Sequence, residues 1–171
     1  MEWGAGSMAV RPLLLLGFIL LLLIAGIWDM AERRIPNRLV LLVALLAPLH
    51  HYAVGGWAQL VPAWSGLLAF VLLAAVLLWL FDNGLIGGGD VKLLLASQLF
   101  LGSGAAPTFL LAVALAGGIL SLTFLLARPL AQLASRLAVR WRIRPADDRL
   151  PYGIAIAGGA FATLGGWLSG F

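Results

Sequence analysis

Apolar residues in this chain come in long runs separated by short polar or glycine-rich joints. The runs fall at residues 12–31, 38–53, 58–81, 90–101, 107–127 and 151–168. A helix that crosses a bilayer takes about 20 mostly apolar residues, so the pattern predicts an all-α polytopic membrane protein with six transmembrane helices. Residues 1–171 then form a single membrane-embedded domain. The fourth run is the exception. A helix of about 12 residues does not cross a hydrocarbon core of about 30 Å unless it is tilted, extended at an end, or sheltered by protein.

Composition supports the membrane reading, since 63% apolar residues against 11% charged lies far outside the range of soluble domains. The basic residues add orientation. Arg33, Arg34 and Arg38 flank the first loop, Lys92 the third, and Arg128, Arg136, Arg140, Arg142, Arg144 and Arg149 the fifth, which puts ten of the eleven Lys and Arg on one side. By the positive-inside rule that side is the cytoplasm and both termini lie outside. A net charge of +4 and a pI near 10.7 are therefore orientation signals, with no soluble basic face for nucleic acid.

The fifth loop is long. From Pro129 to Trp141 its residues Leu130, Leu133, Leu137 and Trp141 recur at helical spacing opposite Arg136 and Arg140, which predicts an interfacial amphipathic helix. Such a helix anchors to anionic lipid or offers a docking surface. Pro145 and the Asp147–Asp148 pair read as a solvated turn before the last span. The first run follows Arg11 like a signal peptide, but further spans come after it and no cleavage-site pattern does, so it reads as a retained helix. The absence of cysteine excludes disulfides, thiolate chemistry and cysteine-ligated zinc.

Acidic residues are scarce enough to be informative. Of seven, Glu2, Asp147 and Asp148 belong to solvent, and Glu32 and Asp82 to loops. Asp29 and Asp90 remain, each at the end of an apolar run, where a carboxylate costs several kcal/mol unless paired, hydrated or protonated. Each has a structural explanation of its own. Asp29 can pair with Arg33 four residues on, and Asp90, directly after Gly87, Gly88 and Gly89, can cap a helix. Together they say more. Both map to the cytoplasmic ends of their helices, so packing of the first helix against the fourth would bring two carboxyl groups to one depth. Two such groups do not both ionise cheaply: one stays protonated while the other accepts a proton from water, the acid–base division of an aspartic peptidase. The three glycines would let a substrate strand approach the backbone.

Gly87 to Asp90 forms G-x-G-D, extended as Gly-Gly-Gly-Asp-Val-Lys-Leu, and this resembles the signature of GxGD aspartic peptidases, specifically bacterial prepilin peptidases, the type IV leader peptidases. Asp29 followed by Arg34-Ile35-Pro36-Asn37 resembles the family's other aspartate with its R-x-P-N element, and Pro151-Tyr152-Gly153 resembles the opening of its last helix. The resemblance implies a multi-pass peptidase of the bacterial inner membrane that removes the basic leader of prepilins and pseudopilins at the cytoplasmic face. It makes Asp29 and Asp90 the catalytic pair, with Gly87, Gly88, Gly89, Arg34, Pro36, Asn37 and Lys92 around the substrate, and it implies no metal or other cofactor. Long family members carry an N-terminal segment with paired cysteines and also methylate their product. This sequence resembles the short form of tight-adherence (Flp-type) pilus systems, for which no methyltransferase activity is expected.

Other polar residues read structurally. Asp82, in Phe81-Asp82-Asn83-Gly84, belongs to a turn. Lys92 lies two residues past Asp90, points away from it on a helix, and serves as a snorkelling anchor or touches substrate or lipid. His50 and His51 diverge on a helix and read as an interfacial pair with Tyr52 and Trp57 rather than metal ligands. A small proton-coupled transporter and a non-catalytic pilus assembly factor would also account for membrane aspartates. Nothing in the sequence marks an oligomeric state.

Overall fold

The computed structural model describes residues 4–32, 34–56, 64–137 and 152–168. Every regular element in them is helical: α1 (Gly4–Glu32), α2 (Asn37–Gly55), α3 (Trp64–Asp82), α4 (Gly88–Leu101), α5 (Ala106–Leu137) and α6 (Tyr152–Leu168), with one 3-10 turn, Ser103–Ala105, leading into α5. Three stretches are long and apolar enough to cross a membrane, Val10–Glu32, Asn37–Val54 and Ser103–Thr123, while Gly66–Asp82 and Tyr152–Gly165 are apolar but shorter. Large apolar side chains line the outside of the bundle, among them Leu13, Leu20 and Ile27 of α1, Leu41 and Leu45 of α2, Leu68 and Leu72 of α3, and Leu111, Leu115 and Ile119 of α5. Apolar surface this extensive belongs in lipid rather than water.

The short helix sits in the middle. Val91, Leu93, Leu94, Ala96, Ser97, Gln98, Phe100 and Leu101 of α4 are all buried, because α2, α3 and α6 pack around it. Shelter by protein thus accounts for a helix of 14 residues, which spans only about 21 Å at 1.5 Å per residue. Gly102 ends it in a left-handed conformation (φ 81°), donating its N–H to the Gln98 carbonyl at 2.9 Å.

The first helix does not lie directly beside α4. Its backbone neighbours are α2 and α6, and it meets α4 through side chains: the Phe18 and Phe100 rings stack with centroids 3.9 Å apart and planes 6° from parallel. Small residues set the closest approaches elsewhere. A Cβ on Gly159 of α6 would fall 2.7 Å from the Val113 backbone nitrogen of α5, so those two helices cross nearly backbone to backbone.

Several boundaries differ from the hydropathy reading. Helix α1 starts at Gly4, with Pro12 inside it, since hydropathy marks apolar residues and not the hydrogen-bonded turns before them. Trp64 is the first described residue of helix α3, and the expected start near residue 58 lies outside the described residues, as do Arg33 and residues 138–151. The separate amphipathic helix expected from Pro129 is not separate as far as Leu137, because α5 runs through Ala106–Leu137 without a break; its expected end at Trp141 and the Asp147–Asp148 turn are outside the described residues.

The histidines also depart from expectation. His50 is only 6% exposed and its ring lies against Phe100 at 4.5 Å between centroids. It therefore belongs to the core beneath the Phe18–Phe100 stack and not to an interface, because α2 turns that face toward α4. His51 is bonded through Nε2 to the Leu99 backbone oxygen at 2.8 Å, tying α2 to α4 at the end of the bundle far from the aspartates.

Candidate active site

At the other end of the bundle the starts of α2, α4 and α6 meet the end of α1. Each start has a local cause. Pro36 holds φ at −62° with ψ at 132°, so the chain enters α2 from an extended residue without a capping side chain. Its carbonyl accepts the Leu39 N–H at 3.0 Å. Gly87 does the same for α4, with φ −72° and ψ 143°, and its carbonyl accepts the Val91 N–H at 3.1 Å.

Gly87, and not Asp90, is therefore the N-cap of α4. Asp90 stands in the first turn, half-buried, and its carboxylate reaches back to accept the Gly87 backbone N–H. This is the acidic half of a capping box, in which the third helical residue satisfies the donor at the cap. The same carboxylate lies within electrostatic reach of Asp29.

Asp29, near the end of α1, is 7% exposed. Its Oδ2 accepts the backbone N–H of Gly153 at 2.9 Å. Gly153 is the second residue of α6, so its N–H is among those a helix leaves without an internal partner. Each aspartate thus takes a hydrogen bond from the amide end of a helix, where partial positive charge favours an anion. Arg33, the other partner expected for Asp29, lies outside the described residues.

Depth follows from the aromatic stack. Phe18 precedes Asp29 by eleven residues and Phe100 follows Asp90 by ten, about 16 Å and about 15 Å along their helices. Stacking those rings sets both carboxylates at one level, without the direct backbone packing of the first and fourth helices that the sequence suggested.

The glycines before Asp90 do not leave an open passage. A Cβ on Gly87 would come 2.9 Å from Asp90 Oδ2, one on Gly88 3.0 Å from the Phe81 ring, and one on Gly89 3.3 Å from Ile35 Cβ. The space is filled by the protein's own side chains, and none of the three has a positive φ; among the described residues that conformation occurs at Gly56, Gly84 and Gly102. Their smallness admits the carboxylate, the end of α3 and the α1–α2 loop to one point.

Lys92 is exposed and its Nζ donates to Asn37 Oδ1 at 3.2 Å. It points away from Asp90, as helical spacing required, but toward the first residue of α2 rather than into lipid. With Ile35 on Gly89, this pins the loop of Arg34, Ile35, Pro36 and Asn37 across the start of α4. Arg34 itself is exposed. Asp82 is exposed at the last position of α3, where it continues into the Asn83–Gly84 turn. Among the described residues no three His, Asp or Glu side chains gather as a metal would require.

Ile35 stood in the sequence only as part of the Arg34–Asn37 element, and Gly26, which lets α1 and α6 pack closely, was not singled out. Gly26 is one turn before Asp29, and a Cβ there would meet Gly153 and Ile154 backbone atoms at 3.5 Å. A glycine three residues before an acid, and so on its face of the helix, was the available signal.

No curated protein and no solved structure matches the chain. Residues 16–122 match the type IV leader peptidase family, a stretch that runs from α1 into α5 and includes Asp29, the Arg34–Asn37 loop, Gly87 to Asp90, and Lys92. That match covers more than half of the 171 residues, and the chain belongs to the type IV leader peptidase family.

Proposed function

We propose that this peptidase cuts the leader from prepilins or pseudopilins with Asp29 and Asp90 as its catalytic pair. The observation that carries the reading is the placement of two carboxylates within electrostatic reach of each other, each anchored by a backbone N–H at a helix start. Family membership makes the chain a peptidase, and among the described residues the other acids at this end, Glu32 and Asp82, are both exposed.

With one proton on the pair, the ionised carboxylate takes a proton from water as the water oxygen bonds to the scissile carbonyl carbon. The protonated carboxyl gives its proton to the carbonyl oxygen, producing a tetrahedral diol. One diol hydroxyl then returns its proton to the pair, the carbonyl re-forms, the C–N bond breaks, and the leaving nitrogen takes the proton that came from water. The pair is restored, and neither metal nor cofactor takes part. Arg34, Pro36, Asn37 and Lys92, with Gly87, Gly88 and Gly89, form the wall of the site that faces the substrate.

In this reading the chain has six spans, with this end of the bundle at the cytoplasmic face of the bacterial inner membrane and both termini outside. The exposed basic residues Arg34, Arg38 and Lys92 at that end support the orientation. Short helices such as α4 span with the shelter of their neighbours.

Co-expression with a candidate prepilin tests the reading. Leader removal by the wild type and its loss in both Asp29→Ala and Asp90→Ala are expected. Full processing by either variant rejects the pair. Intact processing by both, with loss of proton-coupled flux, identifies a transporter, and unaffected pilus assembly in Asp90→Asn identifies a non-catalytic factor.

A further inference from the structure

We propose that Gly153 is a positioning residue for Asp29, giving through its backbone N–H the hydrogen bond that fixes the carboxylate and through its missing side chain the room for that bond to form. The inference rests on the reading of Asp29 as one of the catalytic pair. Gly153 lies beyond residues 16–122, over which the family matches, in the Pro151-Tyr152-Gly153 element that resembles the opening of the family's last helix.

The two aspartates are held in different ways. Asp90 accepts from Gly87, the cap of its own helix, so folding of α4 alone places it. Asp29 accepts from a residue 124 positions away in sequence. That bond forms when α6 has docked on α1. That docking is close, because a Cβ on Gly153 would fall 3.0 Å from Asp29 Cβ, 3.2 Å from Asp29 Oδ2 and 3.3 Å from Gly26 Cα. Two of these three atoms are main chain or directly attached to it, so they do not swing aside. The far side of α6 is fixed in turn by the Gly159–Val113 crossing on α5. Helix α6 is thereby clamped between α5 and α1, with its free N–H at Asp29.

Substitution by alanine separates positioning from general packing. Alanine favours a helix over glycine, so Gly153→Ala keeps α6 helical while forcing the Asp29 carboxylate off its donor. A displacement of that kind lowers kcat by about 100-fold, with KM within about twofold because substrate contacts are untouched. Gly26→Ala is at the same crossing but puts its Cβ 3.5 Å from Gly153, an ordinary contact; it keeps wild-type kcat. Gly165→Ala, in open space on α6, does the same.

The experiment measures kcat and KM for prepilin cleavage in these variants, together with the Gly153 amide proton resonance of glycine-labelled protein. Expected are the selective kcat loss in Gly153→Ala and a shift of that resonance in Asp29→Ala but not in Asp90→Ala. Wild-type kcat in Gly153→Ala, with Asp29→Ala inactive, overturns the positioning role and leaves the catalytic pair standing. An equal loss in Gly26→Ala, or an unmoved resonance in Asp29→Ala, overturns it as well. Full cleavage by Asp29→Ala removes the catalytic reading and this inference with it.

Discussion

The rings of Phe18 and Phe100 lie flat on each other, 3.9 Å between centroids, and this contact sets the depth of two carboxylates about 15 Å away along their helices. Phe100 also carries the buried His50 ring, so removing it opens the centre of the bundle. Phe100→Ala is expected to cost about 3 to 5 kcal/mol and to reduce cleavage through a displaced Asp90, whereas Phe100→Leu keeps most of both. Thermal unfolding in detergent, run beside the cleavage assay, checks the two effects.

The glycines before Asp90 predict a ranking. Gly87→Ala puts a methyl 2.9 Å from the Asp90 carboxylate and is expected to impair cleavage most. Gly88→Ala meets only the Phe81 ring, a side chain exposed enough to swing away, and is expected to be mild. Gly89→Ala, against Ile35 Cβ at 3.3 Å, falls between them. Relative cleavage rates of the three variants decide the order; equal rates would show that the glycines act as a substrate passage.

Much of this was legible in the sequence for definite reasons. Each of the six apolar runs overlaps a helix among the described residues, because burial in lipid or in protein asks for apolar residues along the whole element, and Asp29 and Asp90 stood out because carboxylates are costly there. Spanning by all six is less directly written, since among the described residues three stretches are long and apolar enough by themselves. Contacts between distant positions left no periodic trace. The Gly153–Asp29 bond, the Phe18–Phe100 stack and the Lys92–Asn37 pair depend on how helices lie against each other, which hydropathy does not encode. His50 misled because adjacency to His51 and an aromatic suggested an interface, while the face it occupies is turned inward by the α2–α4 packing.

Lys92 and Asn37 act as one unit in holding the α1–α2 loop over α4. Both are exposed, so their bond at 3.2 Å contributes little to stability, at most about 1 kcal/mol. Lys92→Ala and Asn37→Ala are each expected to slow cleavage severalfold, with the double variant no slower than the worse single one. A double-mutant cycle on cleavage rates measures this coupling, and independent, multiplying losses would separate the two residues.

A shared proton predicts the pH response. At low pH both carboxyls are protonated and no base remains for water; at high pH both are ionised and none can donate to the carbonyl oxygen. Cleavage efficiency against pH is therefore bell-shaped. A plateau extending to high pH would remove the need for a general acid.

The central claim is that Asp29 and Asp90 work as one catalytic unit. The most direct measurement is the first-order cleavage rate of a prepilin by purified Asp29→Asn, Asp90→Asn and the double variant, all three matched to the wild type in folding. The account predicts that each single change abolishes cleavage to about the same residual rate and that the double variant is no slower, as for residues acting together. Substantial cleavage by either single variant, or losses that multiply in the double one, would contradict it.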